Sequence, residues 1–260
     1  MRALAVLTVA LPLASVLLAE APFYSAASIV NAADNQPAML APNTIATIYG
    51  KNLAFGTKAI TPDDIRGGTL PIVFSGTGAQ VLIGSWYATL YYVSPTQINF
   101  LVPPGLQPGT FNLYVLVNGS AGPPIPVQLA AASPALFQLD AENAVATRAD
   151  GSVITPAAPA RPGDVVVLYA TGLGQTTPPV VYGQLPTQAA GLAQIGDFSV
   201  LLDGLPVDPR AIAYAGIAPG FAGLYQINLT LPGSTAANPE LRIGLAGLLS
   251  PPGLRLPVQP

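Results

Sequence analysis

The chain has 260 residues, enough for one or two folded domains, and only 8% of them are charged. Its 29 prolines and 26 glycines interrupt every apolar run after the first, so no later segment offers the roughly 20 apolar residues of a transmembrane helix. The formal net charge of -3 argues against a nucleic-acid partner, which needs a basic face.

The first predicted element is a secretory signal peptide over residues 1–19. Arg2 supplies the positive start, Ala3 to Leu18 supply the apolar stretch, and Ala19 is a small residue at the cleavage position. A buried N-terminal helix or strand, or a retained anchor, is the alternative. We therefore expect a secreted or extracytoplasmic protein (periplasm, cell surface or extracellular) with no transmembrane segment after cleavage.

Short apolar or alternating runs, bounded by Gly and Pro, follow along the rest of the chain and predict β-strands. They recur in the same order in both halves. PNTIATIYGKNL from Pro42 matches PGDVVVLYATGL from Pro162, and QINFLVP from Gln97 matches QINLTLP from Gln226. Many short strands with Gly/Pro turns are typical of a sandwich or barrel. The sequence therefore predicts an all-β fold of two tandem immunoglobulin-like β-sandwich domains, residues 20–133 and 134–260.

Three blocks carry a family resemblance: SPTQINFLVP, PGDVVVLYATGLG and GLYQINLTLP. With their flanking residues, from about Ser28 to the end, the chain resembles an uncharacterised C-terminal domain of secreted proteins from Solibacter and other acidobacteria. The resemblance implies tandem immunoglobulin-like units of the IPT/TIG type and an exported protein. It carries over no catalytic residue.

The chain has no histidine and no cysteine. Serine–histidine–aspartate catalysis, histidine-ligated zinc, cysteine nucleophiles and disulfides are therefore impossible. We predict a protein that is not an enzyme, with no catalytic residue and no cofactor.

Carboxylates are the remaining acid–base groups. Asp140, Glu142 and Asn143 lie close in sequence, and with Asp150 they are the best calcium candidate. Aspartates that cap their own turns are the favoured interpretation, so no metal site is predicted.

Aromatic residues offer another route to function, because sugars stack on exposed Trp and Tyr. Trp86 and Tyr87 follow Gly84-Ser85 at a predicted hairpin, and the matching turn of the second unit, DGLPVDP, has no aromatic residue. We single out Trp86 and Tyr87 as a candidate ligand or partner contact. The alternative is that these rings pack over the sandwich end or against the other unit.

The repeated Gln-Ile-Asn is predicted to be structural. Strand alternation places Ile98, Phe100 and Val102 on one apolar face, and Gln97 and Asn99 on the other. In the second copy Gln226 and Asn228 occupy the positions of Gln97 and Asn99. We expect these amides to bond backbone groups of a neighbouring loop, and a polar ligand site is the competing interpretation.

The leading functional hypothesis is an exported non-enzymatic protein, a structural, adhesive or protein-interaction module at the cell surface or outside the cell. The first alternative is a carbohydrate-binding protein that uses the Trp86-Tyr87 tip, so the expected partner is a protein or a glycan. A carboxylate-based glycoside-active enzyme is third.

Overall fold

A computed structural model describes residues 20–37 and 39–260, so the predicted signal peptide lies outside the described residues. The described chain is all β, as predicted, with short 3-10 turns and no α-helix. The 3-10 turns are Ala26–Ser28, Pro62–Asp64, Ile195–Asp197 and Pro209–Ala211. None of the described segments forms a helix long and apolar enough to cross a membrane.

The first half of the described chain forms two antiparallel sheets, β1-β2-β7-β6-β3 and β10-β8-β4-β5, with β9 beside β8. Their strands are β1 (Ile29–Asn31), β2 (Ile45–Tyr49), β3 (Lys58–Ala59), β4 (Ala79–Ile83), β5 (Trp86–Tyr87), β6 (Thr89–Val93), β7 (Gln97–Leu101), β8 (Gly109–Val117), β9 (Ser120–Ala121) and β10 (Ile125–Leu129).

The two sheets of the first half pack over one apolar core. Ile48 of β2 and Phe100 of β7 enter it from one sheet, and Val81 of β4 and Val115 of β8 enter it from the other. All four side chains are fully buried. Burial of alternate residues from two facing sheets defines a β-sandwich.

The second half repeats this arrangement with the sheets β11-β13-β19-β18-β15-β14 and β17-β16-β20-β21, and with β12 beside β13. Its strands are β11 (Ala135–Leu136), β12 (Ala146–Arg148), β13 (Val165–Thr171), β14 (Thr176–Thr177), β15 (Ala190–Leu192), β16 (Phe198–Leu202), β17 (Leu205–Pro206), β18 (Ile212–Ile217), β19 (Tyr225–Thr230), β20 (Leu241–Leu245) and β21 (Leu248–Leu249). Leu168, Ile227, Val200 and Ile243 lie in its core.

Equivalent turns in the two halves use equivalent chemistry. Before β2, the backbone N–H of Ala41 donates to Thr44 Oγ1 at 3.1 Å. Before β13, the N–H of Arg161 donates to Asp164 Oδ2 at 2.8 Å. A short side-chain acceptor thus closes the same turn in both copies.

A third apolar cluster joins the halves. Its buried members are Leu70 and Leu101 from the first half and Ala222 from the second, with Ile45 and Tyr91 packed against it. We call this contact between the two halves the junction. The two sandwiches therefore pack directly against each other.

Candidate functional site

Trp86 and Tyr87 form β5, a short strand that returns along β4 after a tight turn. Ile83 pairs with Trp86 across the Gly84-Ser85 turn, where Gly84 has a φ of 59° that favours glycine. Trp86 is 37% exposed and Tyr87 is 36% exposed. The hairpin tip is therefore Gly84-Ser85, and Trp86 and Tyr87 lie on the second strand of the hairpin.

The Trp86 ring packs against the second half while part of it stays exposed. Its centroid lies 5.0 Å from that of Tyr182, with an interplanar angle of 76°, an edge-to-face contact. A Cβ on Gly105 would lie 3.3 Å from the Trp86 ring, so glycine leaves the room that the ring occupies. The Tyr182 hydroxyl donates to the backbone oxygen of Tyr87. We call Trp86, Tyr87 and Tyr182 the aromatic corner.

The aromatic corner thus includes a residue that sequence reasoning missed. Tyr182 lies outside every strand, in the segment between β14 and β15, and no pattern in the sequence pairs it with Trp86. Burial raises the pKa of Tyr182, so its hydroxyl keeps its proton and stays a donor. The candidate contact role of Trp86 and Tyr87 stays a prediction.

The amides of the repeated Gln-Ile-Asn bond to each other within each strand. Gln97 Nε2 donates to Asn99 Oδ1 at 2.8 Å, and Gln226 Nε2 donates to Asn228 Oδ1 at the same distance. Thr47 Oγ1 of the neighbouring β2 also donates to Asn99 Oδ1, at 3.1 Å. The sequence predicts that these amides bond the backbone of a neighbouring loop, whereas in the structure they bond each other. Residues two apart on a strand lie on one face, which brings the paired amides within reach.

The acidic residues proposed for calcium act on their own turns. Asp140 Oδ1 accepts from the backbone N–H groups of Glu142 and Asn143, each at 2.8 Å. The Asn143 side-chain amide, followed by these N–H groups, lowers the pKa of Asp140. Asp150 Oδ1 accepts from the N–H of Ser152 at 2.9 Å. Over residues 20–37 and 39–260, no three acidic side chains come together as a metal site would require.

Three hydrogen bonds lie at the centre of the junction, two between the halves and one within the second half. The Tyr91 hydroxyl donates to the backbone oxygen of Ala222 at 2.6 Å. Thr171 Oγ1 accepts from the N–H of Ile45 at 2.9 Å and donates to the oxygen of Gly223 at 2.8 Å. Burial raises the pKa of Tyr91 well above its ordinary value, so the hydroxyl remains a donor at any physiological pH.

Backbone pairing adds a second set of contacts at the junction. The N–H of Leu70 donates to the oxygen of Gly183 at 2.7 Å, and the N–H of Leu185 donates to the oxygen of Gly68 at 2.8 Å. Two loops thus form a short antiparallel ladder. Because backbone polar groups are paired here, the two loops hold a defined register.

Two glycines allow the backbones of the two halves to approach closely. A Cβ on Gly223 would lie 2.8 Å from Cγ1 of Ile45 and 2.9 Å from the oxygen of Asn43. A Cβ on Gly172 would collide with the oxygen of Ser133. Both glycines have φ near +77°, which also favours glycine.

An apolar cavity of about 420 Å³ opens within the junction. The first half contributes Ile45, Ile65 and Tyr91 to its walls, and the second half contributes Leu185 and Leu224. Its walls are almost entirely carbon, and no acidic or basic side chain lines it.

Residues 34–131 match the family model of the IPT/TIG domain, an immunoglobulin-like fold. With two antiparallel sheets around one core, these residues are an immunoglobulin-like β-sandwich. The match covers most of the first half, and it supports the IPT/TIG part of the resemblance seen in the sequence.

Comparison with solved structures gives distant similarities. The surface glycan-binding protein SGBP-B from the mixed-linkage glucan utilization locus of Bacteroides ovatus, in complex with a heptasaccharide, has 12% identity and a TM-score of 0.34 over 85% of this chain and 42% of its own. PbSGBP-B of Prevotella bryantii has 12% identity and a TM-score of 0.27 over 90% and 41%. The Plexin A4 extracellular region has 11% identity and a TM-score of 0.30 over 96% and 19%.

This chain spans less than half the length of each of these proteins. With TM-scores this low, what they bind is not transferred to this chain. No curated protein is significantly similar to it in sequence.

Proposed function

We propose that the protein is an exported, non-enzymatic binding module at the cell surface or outside the cell. In this proposal residues 20–133 and 134–260 are two immunoglobulin-like units that act together; the resemblance to the acidobacterial secreted family implies the tandem units but no activity. One observation carries the proposal. The aromatic corner is assembled from both halves, because the junction brings Tyr182 of the second half onto Trp86 and Tyr87 of the first.

A composite surface distinguishes a binding protein from a simple spacer. Two units on a flexible linker can separate domains, but they cannot hold side chains from both units in one fixed patch. Here hydrogen bonds at Tyr91, Thr171 and Leu70 hold the halves in register. Pre-organisation of this kind lowers the entropic cost of binding.

The exposed side chains favour a protein or another uncharged surface as partner. Phe221 is 61% exposed and Leu205 is 72% exposed, on a chain with few charges. Interface cores are depleted in charge and enriched in aromatic residues. An adhesive or protein-interaction role fits such a surface.

The proposal is tested with the full chain carrying a C-terminal tag. We expect the tag to be accessible to external protease on intact cells, and the purified protein to bind isolated cell envelope saturably. Trp86→Ala is expected to weaken this binding, while Val153→Ala, at an exposed site on another surface, should not change it. Retention inside the cell would contradict the proposal. So would turnover of a substrate that one Asp→Asn or Glu→Gln change abolishes.

Carbohydrate binding is the second candidate, and the aromatic corner is the observation that favours it. Trp86 and Tyr87 are partly exposed and held in place by Tyr182, as a stacking platform for a sugar ring requires. A glycan array should then show binding that Trp86→Ala abolishes and Tyr49→Ala, at another exposed ring, leaves unchanged. Equal glycan binding by wild type and Trp86→Ala would rule out this candidate.

A further inference from the structure

The junction cavity has the size and place of a small-molecule site. Its volume of about 420 Å³ falls within the range of ligand pockets, which often occur between domains. Both halves build its walls, from Ile45, Ile65, Leu70, Tyr91, Leu185 and Leu224. Leu70 is almost completely buried, so the cavity reaches below the surface.

The chemistry of the walls restricts what the cavity can hold. Every side chain that lines it is uncharged. The Tyr91 hydroxyl already donates to the oxygen of Ala222, so its proton is engaged. The Thr61 hydroxyl on the wall likewise donates to Asp64 Oδ2, at 2.7 Å. A charged ligand would lose its hydration and find no charged partner in return. An apolar ligand would lose only unfavourable contact with water.

We propose that the junction cavity binds a small, uncharged, apolar molecule, such as an aromatic or terpene-like compound of one to two rings. The ligand would contact both halves at once. Its binding would therefore stabilise the docked arrangement, because only that arrangement contains the complete cavity. The cavity is separate from the aromatic corner, and ligand binding there does not depend on the function proposed for that corner.

A second copy of the chain is the competing occupant. Phe221 lies at the cavity wall and is 61% exposed, so the ring that would insert is the Phe221 ring of the second copy. The small molecule is favoured because the walls converge on buried Leu70 and Ala222 at the centre of the junction, inside one chain. Oligomeric state separates the two occupants.

The test uses the neutral fluorophore N-phenyl-1-naphthylamine with the purified protein that carries both halves. We expect saturable one-to-one binding with enhanced fluorescence, and chemical-shift changes at the Ile45, Ile65 and Leu185 methyl groups. Ile65→Trp should fill the cavity and weaken binding at least tenfold. Val153→Trp, which adds the same ring at an exposed site elsewhere, should leave binding unchanged.

Three results would overturn the proposal. The first is the absence of saturable binding to the wild type. The second is binding whose shift changes lie away from these methyl groups, a measurement that holds even where Ile65→Trp does not fold. The third is a concentration-dependent dimer that Phe221→Ser disperses, with no probe binding, which would assign the cavity to a second copy.

Discussion

Tyr91 shows how a single residue links the two halves. It lies on β6 of the first half, and its hydroxyl reaches the backbone of Ala222 in the second at 2.6 Å. Burial raises its pKa, and burial does the same for Tyr225 in the second core. Both tyrosines are therefore more weakly acidic in the folded protein than in the unfolded chain.

We predict that the protein loses stability in alkali and that Tyr91→Phe reduces this loss. A raised folded-state pKa gives a contribution that is fully present below the unfolded tyrosine pKa of about 10 and is lost as pH rises above it. Each such group adds up to about 1.4 kcal/mol of destabilisation per pH unit in that range. Urea unfolding at neutral pH and above pH 10 measures the difference.

At neutral pH the same variant should be less stable than wild type by about 1–2 kcal/mol, because the Ala222 oxygen loses its donor. Tyr49→Phe is the matched control, since Tyr49 is 39% exposed on the same sheet and its hydroxyl donates to the exposed Asn35 side chain instead of across the junction. An alkaline loss in Tyr91→Phe equal to that of wild type would show that Tyr91 does not contribute to it.

At the scale of the element, β7 and β19 are copies of one strand that meet different surroundings. Both place alternate apolar side chains in a core and pair Gln with Asn on the other face. Leu101 of β7 also points away from its own core, yet it is buried in the junction. Its counterpart Thr230 on β19 is exposed.

We predict that the Gln–Asn pair stabilises each strand. Asn99→Ala and Asn228→Ala should each lower stability by about 1 kcal/mol, or about 2–4 °C in melting temperature for a chain of this size. Asn99→Ala should have the larger effect, because Asn99 also accepts from Thr47. Thr230→Ala, on the same outer face of β19, is the control and should melt like the wild type.

The structural interpretation of the repeat fails if both asparagine variants melt at the wild-type temperature. A ligand role would then be the better account of the two amides.

The strands themselves were predictable, because alternation and Gly/Pro turns are local signals. Ile98, Phe100 and Val102 are buried as their spacing predicts. The junction was not predictable, because alternation places Leu101 on the outer face without showing what covers that face. The difference between Leu101 and Thr230 was the available signal. The pairing of Tyr182 with Trp86 depends on a loop, and loop positions carry no periodicity.

At the scale of the whole molecule, the function we propose depends on how the halves are docked. Glycines at the junction let the backbones approach, and Gly223 has no room for a side chain against Ile45 and Asn43. Gly220 lies three residues away with a similar φ of 83° and open space around it. Alanine at either position strains the backbone, but only alanine at Gly223 also crowds the junction. Comparing the two variants therefore separates these two effects.

Gly223→Ala should loosen the junction, whereas Gly220→Ala should not. Both variants bear the cost of an alanine in the left-handed region, about 1–2 kcal/mol. Only Gly223→Ala also forces the two halves apart. The fluorescence of Trp86, the single tryptophan of the chain, should therefore change in Gly223→Ala and stay unchanged in Gly220→Ala.

Residual dipolar couplings of backbone amides test the central claim most directly, because they report the relative orientation of the two halves in solution. We predict that one alignment tensor fits residues 20–133 and 134–260 together in the wild type and in Gly220→Ala. In Gly223→Ala the halves should require two different tensors. Two different tensors in the wild-type protein would contradict the docked arrangement, and with it the composite binding surface.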